Sequence, residues 1–444
     1  MTQAVWEGAG AIYLPLMTAL LLGLVFRGRT RQLPALLLSL LWAATSLLIL
    51  QRVNQVAGWW SFPDADIRFC GMSLELYIGW TILWGVLPQL AFARLALVLA
   101  AATMTALDLI GMPLCSAVVH LGPRWLVGEA FAVLFVLAPA LCIARWTQRD
   151  THLHARAVMQ VAISAMLFLF FIPEVAFALR PGRGWAPLLR MAGWQRQLGL
   201  QLVFVLSVPG IAAVMEFAGR GFGTPIPYDP PKRLVTSGIY RYCANPMQLS
   251  CGAAMLAWAA ILANGWLVLA AAISVVYSAG IAEWDERQDL ACRFGTQWTL
   301  YRSSVGAWRV RWRPYHDGPP ARVFLSASCG PCSQLQLWLE RRSPYALEIM
   351  NADALPAGSI LRMRYDPRDG TAAVDGVRAL GRALEHLHLG WALAGSVLRF
   401  PGVWQVVQVV MDASGFGPRV PMTRSSSTLP DANRDEGLCL RREV

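Results

Sequence analysis

Long apolar stretches separated by short polar segments fill the first two thirds of the chain. Most hold about 17–22 apolar residues, enough for a helix to cross a hydrocarbon core of roughly 30 Å. We therefore predict a multi-pass membrane protein with about nine spans. The predicted spans are residues 8–26, 33–51, 74–93, 95–114, 126–146, 157–179, 198–219, 249–263 and 266–283.

A tight helical hairpin is predicted at the end of this apolar region. The last two spans are short, and only Asn264 and Gly265 lie between them. Both residue types accept positive φ angles, so the pair can reverse the chain between two antiparallel helices. Segment 284–302 is then predicted to be an amphipathic helix, because large apolar side chains recur every three or four residues.

The pattern changes near residues 316–321, after which it becomes typical of a small α/β unit. The residues from 422 onward are polar and rich in serine and charge, which predicts disorder. In the α/β unit, the predicted elements are a strand at 323–325, a helix ending at Leu339, a strand near 360–365 and a helix near 376–386. The predicted domains are an N-terminal transmembrane region (1–197), a second membrane domain (198–315), an α/β domain (321–418) and a disordered tail (419–444).

Composition agrees with a membrane protein. The chain is 56% hydrophobic and only 15% charged, whereas soluble domains have roughly 25% charged residues. Its net charge of +11 comes from arginine, since Lys232 is the only lysine. In a membrane protein such an excess indicates cytoplasm-facing loops, and we expect no nucleic-acid partner. Basic clusters after the first and fifth spans place everything after residue 283 in the cytoplasm, although the arginines between 180 and 196 oppose this orientation.

Residues 221–248 combine glycines and prolines with hydrogen-bonding side chains directly after a predicted span. Non-helical backbone at a membrane face must be buried in protein or hydrated, because lipid cannot satisfy its polar groups. Since a hairpin brings its two ends together, Arg241 and Asn245 are expected near Glu286. This predicts a polar pocket suited to a ligand with amino, carboxylate and ribose groups.

Two sequence stretches on either side of the hairpin carry a family resemblance. SGIYRYCANPMQLS and DERQDLACRFGTQWTLYRSSVGAWRVRWRPY together resemble the isoprenylcysteine carboxyl methyltransferase family and its phospholipid methyltransferase relatives. That family typically has G-x-Y-x-x-x-R-H/N-P-x-Y-x-G before the hairpin and E-E-x-x-L-x-x-x-F-G after it. The resemblance implies S-adenosylmethionine as the methyl donor. The implied donor-binding residues are Tyr240, Arg241, Asn245, Pro246 and Glu286.

The resemblance also implies a hydrophobic or lipid-linked methyl acceptor within the lipid bilayer, with Arg309 or Arg311 holding an anionic group of that acceptor. Four positions depart from the family pattern. Ala244 stands in place of arginine, Gln248 in place of tyrosine, Ser250 in place of glycine, and Arg287 in place of the second acid. Two interpretations remain open, namely a methyltransferase with an altered acceptor and a non-catalytic copy.

A Cys-Gly-Pro-Cys motif at Cys329 and Cys332 follows the first strand of the α/β unit and begins a predicted helix. A helix N-terminus stabilises a thiolate, so a cysteine there becomes nucleophilic. This arrangement is typical of thioredoxin-like redox proteins, and the segment resembles the DCC family of thiol–disulfide oxidoreductases, with Ser326 in place of that family's aspartate. A structural or metal-binding cysteine pair is the alternative.

We therefore predict an all-α multi-pass membrane domain with a small C-terminal α/β, thioredoxin-like domain. The predicted function is S-adenosylmethionine-dependent methyl transfer to a lipid-soluble or lipid-tethered acceptor. The alternative is a membrane-anchored thiol–disulfide oxidoreductase whose methyltransferase-like region is non-catalytic. The predicted location is a bacterial inner membrane, with the C-terminal domain in the cytoplasm.

Overall fold

The computed structural model describes residues 3–25, 31–63, 67–179, 184–225, 229–356 and 360–418. The chain divides into two compact units, Met1–Asp317 and Gly318–Val444. The predicted disordered tail, residues 419–444, lies outside the described residues.

Helices dominate the described part of the first unit. They are α1 (Gln3–Val25), α2 (Gln32–Ala57), α3 (Leu74–Gly85), α4 (Leu87–Ala91), α5 (Leu97–Leu114), α6 (Trp125–Ala132), α7 (Ala138–Arg149), α8 (Leu153–Met166), α9 (Ile172–Leu179), α10 (Ala186–Arg190), α11 (Gly193–Glu216), α12 (Pro246–Ile261), α13 (Gly265–Tyr277) and α14 (Glu283–Ser304). π-Helical turns join or extend several of them, at Val133–Leu137, Leu167–Phe171, Phe217–Gly221 and Ser278–Ala282. Two short antiparallel pairs link helix ends: β1 (Trp60–Ser61) with β4 (His120–Leu121), and β2 (Arg68–Phe69) with β3 (Met72–Ser73).

Among the described residues, six helices are long and apolar enough to cross a membrane. They are Val5–Val25, Gln32–Ala57, Leu97–Leu114, Trp125–Arg149, Leu153–Leu179 and Gly193–Gly221. The prediction of nine full spans is therefore too high. Residues 74–93 form two helices broken at Val86, and Pro88 lies in the first turn of the second one. The last two predicted spans are the shorter apolar helices Pro246–Ile261 and Gly265–Gly280.

The hairpin between α12 and α13 forms where it was predicted, but its turn differs from the prediction. Ala263 has the positive φ, at 49°, whereas Asn264 is extended at φ −123°. Instead, the Asn264 side chain caps α13 by accepting a hydrogen bond from the Trp266 N–H at 2.9 Å. The predicted helix after the hairpin is α14, which is interrupted at Gly295 by φ 52° and ψ −123°.

Small residues allow α11 and α12 to pack closely. A Cβ atom on Gly210 would lie 2.9 Å from the Ser250 hydroxyl, and that hydroxyl donates to the Leu206 carbonyl at 2.5 Å. Small residues at such contacts strengthen van der Waals packing between membrane helices. Helix α12 is therefore fixed against α11 along much of its length.

A buried cluster of charges ties the loop after α11 to the starts of α2 and α8. Arg156, only 1% exposed, contacts Asp229 at 3.0 Å and Asp150 at 2.7 Å. Arg31 contacts the same two carboxylates at 3.4 and 2.8 Å, and Lys232 lies 3.7 Å from Asp150. Burial alone would raise the pKa of Asp150, but the two guanidinium groups outweigh it and lower this pKa.

The second unit contains a four-stranded sheet in the order β6-β5-β7-β8. Strand β5 (Ala321–Leu325) is parallel to β6 (Leu347–Asn351) and antiparallel to β7 (Arg364–Asp366), which pairs antiparallel with β8 (Val374–Asp375). Helix α15 (Gly330–Glu340) connects β5 to β6, and α16 (Gly376–Leu384) follows β8. The strands at β5 and β7 and these two helices were predicted, whereas β6 and β8 were not.

Two apolar helices end the described part of this unit. They are α17 (Leu389–Leu398) and α18 (Val403–Met411), followed by the π turn Asp412–Phe416. Helix α18 with its π turn is bent by 91° from α17. The sheet and helices enclose an apolar core that includes Val323, Leu325, Leu339, Leu384 and Leu387.

The buried charge cluster yields a stability prediction. Replacing Asp229 with asparagine leaves Arg156 one acidic partner short, so the free energy of unfolding should fall by about 3 kcal/mol. Thermal unfolding in detergent measures this change. Asp289 pairs with Arg293 at 3.1 Å but is 53% exposed, so Asp289→Asn is the matched control and should change stability by about 0.5 kcal/mol or less. Equal shifts in the two variants would contradict the assignment.

Candidate active site in residues 221–315

The loop before α12 is anchored on a buried carboxylate. Gly238 begins the 3-10 turn Gly238–Arg241 with φ +61°, and a Cβ there would lie 3.0 Å from the Glu216 carboxyl group. The Ser237 hydroxyl donates to the same carboxylate at 2.5 Å, and Arg220 lies 3.9 Å from it. Glycine is therefore required where the turn passes over the end of α11.

Residues 306–315, the returning segment, follow α14 and pair with this loop through backbone hydrogen bonds. The N–H groups of Ala244 and Asn245 donate to the carbonyls of Gly306 and Ala307, at 3.0 and 3.1 Å. In the opposite sense, the N–H groups of Arg311 and Tyr315 donate to the carbonyls of Tyr242 and Arg241, both at 3.0 Å. These bonds satisfy non-helical backbone groups on both segments.

Glu283, the first residue of α14, binds the returning segment through Trp308. Its carboxylate accepts hydrogen bonds from the Trp308 indole at 2.9 Å, from Arg302 at 3.1 Å and from Arg287 at 3.0 Å. From the other side, the Tyr301 hydroxyl donates to the Tyr240 carbonyl at 2.8 Å. Contacts from both ends of α14 thus hold the loop and the returning segment.

An apolar cluster fills the space between α14 and the loop. It contains the buried residues Leu290, Trp298, Tyr301 and Val305, and Ala244 packs against it. This location explains one departure from the family pattern, since an alanine methyl suits an apolar surface. A second departure, Ser250, occupies the close contact with Gly210, and a third, Arg287, pairs with Glu283.

The structure brings together four of the five predicted donor-binding residues. Tyr240 and Arg241 are buried in the 3-10 turn, Asn245 is the N-cap of α12, and Pro246 is the first residue of that helix. Asn245 is 8% exposed, and its amide neither caps α12 nor hydrogen-bonds any other described residue. Glu286 lies in α14, but its side chain is outside the part of the chain that the structure describes.

The two arginines predicted to hold an acceptor differ in their surroundings. Arg311 is half-buried and donates from its guanidinium to the Ser304 carbonyl at 3.0 Å. Arg309 is exposed on the returning segment. Both lie on the segment whose backbone pairs with Tyr242 and Arg241.

An apolar cavity of about 160 Å³ lies beside the N-terminal half of α12. It is lined by α8, α11 and α12 and by Pro225 of the loop, with Met247, Ser250 and Cys251 on the α12 side. The cavity therefore begins within two residues of Asn245 in sequence and extends between membrane helices.

In the second unit, Cys329 is the N-cap of α15 and Cys332 lies in its first turn. Asp353 orders the turn before Cys329, accepting hydrogen bonds from the Ser326 hydroxyl at 2.6 Å and from the Ser328 N–H at 2.9 Å. Burial alone would raise the pKa of Asp353, but these hydrogen bonds outweigh it and lower that pKa. A carboxylate from after β6 thus lies beside Ser326, where the DCC resemblance has an aspartate.

Sequence reasoning missed the contacts that organise the site. The pairing of Glu283 with Trp308 spans 25 residues and has no local signal in the sequence. The same holds for Asp229 and Arg156, which are 73 residues apart.

Comparison with known proteins finds a family model that matches part of the membrane unit. Residues 197–297 match the family model for phospholipid methyltransferase, from the start of α11 to within α14. The match supports a membrane methyltransferase of the phospholipid and isoprenylcysteine carboxyl methyltransferase type, and at that level it confirms the resemblance predicted for the membrane part. No curated protein and no solved structure matches the chain significantly.

The Glu283 contacts yield a prediction about local order. Glu283→Ala removes three hydrogen bonds to one carboxylate and should lower stability by about 2 kcal/mol. Backbone hydrogen exchange should accelerate in residues 306–315, as measured by mass spectrometry. Arg287→Ala removes only the partner that is 63% exposed, and should leave this exchange nearly unchanged. Equal protection in the wild type and Glu283→Ala would show that the carboxylate does not hold the segment.

Proposed function

We propose that the membrane unit is an integral-membrane, S-adenosylmethionine-dependent methyltransferase that acts on a lipid-soluble or lipid-tethered acceptor. The observation that carries this proposal is the folding of the family-matched segment, residues 197–297, into a loop and a helical hairpin closed by the returning segment 306–315. These elements converge on the loop that holds Tyr240, Arg241 and Asn245.

Methyl transfer from a sulfonium needs little acid–base chemistry. It requires an in-line arrangement of donor and acceptor in a pocket that excludes water. In our proposal the Asn245 amide hydrogen-bonds the donor, since the residue is buried and this amide is not used by another described residue. Tyr240, Arg241 and Pro246 shape the pocket, and Glu286 holds the donor's ammonium group or ribose hydroxyls.

The acceptor's apolar part is proposed to occupy the cavity of about 160 Å³ between α8, α11 and α12. This cavity is lined almost entirely by apolar side chains and adjoins the start of α12, so a lipid tail in it would place its polar end near Asn245. Arg309 or Arg311 is proposed to hold an anionic group at that end.

Buried charges support the proposed orientation in a bacterial inner membrane. The contacts of Asp229 and Asp150 with Arg31 and Arg156 bring the start of α2, the α7–α8 turn and the loop after α11 together, which supports one membrane face for all three. Arginine-rich segments of membrane proteins face the cytoplasm. We therefore place the methyltransferase site and the C-terminal domain on the cytoplasmic side.

Donor binding tests the proposed methyltransferase function. S-adenosylmethionine should bind the detergent-purified full chain, and Asn245→Ala should weaken binding at least tenfold, because losing a buried hydrogen bond costs about 1.5 kcal/mol or more. Calorimetric titration measures this. Asn264→Ala, at the other end of the hairpin, and Cys329→Ser are controls that should bind normally. Absence of donor binding by the wild type would overturn the proposal.

A second candidate function is thiol–disulfide exchange by the C-terminal unit, either alongside methyl transfer or with a non-catalytic membrane region. The specific observation is Cys329 at the N-terminus of α15, directly after β5. The strand order β6-β5-β7-β8, with β5 and β6 parallel and β7 and β8 antiparallel in turn, supports a thioredoxin-like fold.

Redox titration tests this second candidate. In buffers of reduced and oxidised dithiothreitol, the full chain should form a Cys329–Cys332 disulfide reversibly, because the pair flanks one helical turn at a helix N-terminus. Mass spectrometry of alkylated peptides measures the oxidised fraction. Cys329→Ser should abolish the disulfide, and Cys292→Ser, at an exposed cysteine on α14, should leave it unchanged. Failure to form the disulfide at any ratio would exclude the redox function.

A further inference from the structure

A cavity of about 270 Å³ adjoins the Cys329–Cys332 pair in the C-terminal unit. Both cysteines line it, and most of its remaining lining is apolar. The apolar part includes Leu335, Ile360, Met363, Met411 and Phe416. A cavity of this size with apolar walls and a few polar groups is typical of small-molecule sites.

The wall opposite the cysteines is held in place by polar contacts. Asp412, at the end of α18, accepts hydrogen bonds from Arg362 at 2.7 and 3.2 Å and from the Gln408 amide at 2.7 Å. Gln408 in turn accepts from the Val377 N–H at 2.8 Å, at the start of α16. Helix α18 is therefore fixed to the start of α16 and, through Asp412, to the segment before β7, and Met411 lines the cavity.

Access to Cys329 distinguishes a small molecule from a protein substrate. Cys329 is only 4% exposed, so the extended backbone of a protein disulfide has little outer surface on which to reach it. The cavity nevertheless reaches this cysteine. A molecule small enough to enter the cavity can contact Cys329, whereas a folded protein is too large to enter it.

The lining also restricts the charge of the ligand. Among the described residues that line the cavity, Arg362 is the only charged one, and Asp412 neutralises it. An apolar site without an available counter-charge disfavours ionic ligands, because transferring an unpaired charge out of water is strongly unfavourable. The preferred ligand is therefore uncharged.

We propose that this cavity is the substrate site for a small, uncharged organic disulfide, which the cysteine pair reduces. The inference rests on the redox function proposed for this unit. The Cys329 thiolate attacks one substrate sulfur, and the first thiolate leaves and takes up a proton. The Cys332 thiolate then attacks Cys329 in the mixed disulfide and displaces the second thiolate. The substrate disulfide gains two electrons, and the protein ends with one Cys329–Cys332 disulfide.

The test uses 4,4′-dithiodipyridine, a small uncharged disulfide, on the reduced full chain in detergent. Formation of the Cys329–Cys332 disulfide, followed by peptide mass spectrometry, should saturate with probe concentration. Met411→Trp fills the cavity and should slow this reaction at least tenfold. Val409→Trp, on the same helix at a position 70% exposed, is the matched control and should change the rate less than twofold. Oxidised glutathione, which is charged, should react without saturation and more slowly.

Two further measurements separate the possible failures. The equilibrium midpoint of the dithiothreitol titration should be similar in Met411→Trp and in the wild type, because filling the cavity slows access to the cysteines without changing their redox equilibrium. An equal rate with dithiodipyridine in Met411→Trp and in the wild type would overturn the cavity assignment. In that case a normal dithiothreitol titration would leave the redox function standing. If that titration also yields no disulfide, the redox function and this inference fall together.

Discussion

The pairing of the returning segment with the loop before α12 is the constraint on which the membrane site depends. Backbone that leaves a helix at a membrane face needs protein partners, since lipid offers none. Four hydrogen bonds between residues 241–245 and 306–315 supply them. One of them joins the Asn245 N–H to the Ala307 carbonyl at 3.1 Å. The loop can therefore be irregular and still be fixed.

This constraint also shows where prediction from sequence succeeds and where it stops. The hairpin and the amphipathic character of α14 were predictable because periodic apolar residues report local helix faces. The reversal at Ala263 and the break at Gly295 were not, since neither has a distinct local pattern. The number of full spans was overestimated because an apolar stretch indicates burial away from water but does not fix the length of the helix that forms. Helices α12 and α13 are apolar but short.

Charge shows the same division between local and long-range information. The excess of arginine indicated which segments face the cytoplasm. In the structure Arg31 and Arg156 lie together beside the loop after α11. Their contacts with Asp150 and Asp229, however, join segments far apart in the sequence. A buried guanidinium group needs polar partners, so these ion pairs help to fix the position of the loop. No spacing rule could have selected Asp229 over the other acids.

The departures from the family pattern acquire a physical meaning in this setting. Ala244 packs on the apolar cluster of α14, and Ser250 fills the contact opposite Gly210. Both changes concern packing behind the loop, whereas the backbone pairing that shapes the loop does not depend on either side chain. A chain can therefore lose the arginine of the motif and keep the loop geometry. The position of the loop that carries Tyr240, Arg241 and Asn245 is set instead by its backbone hydrogen bonds to residues 306–315.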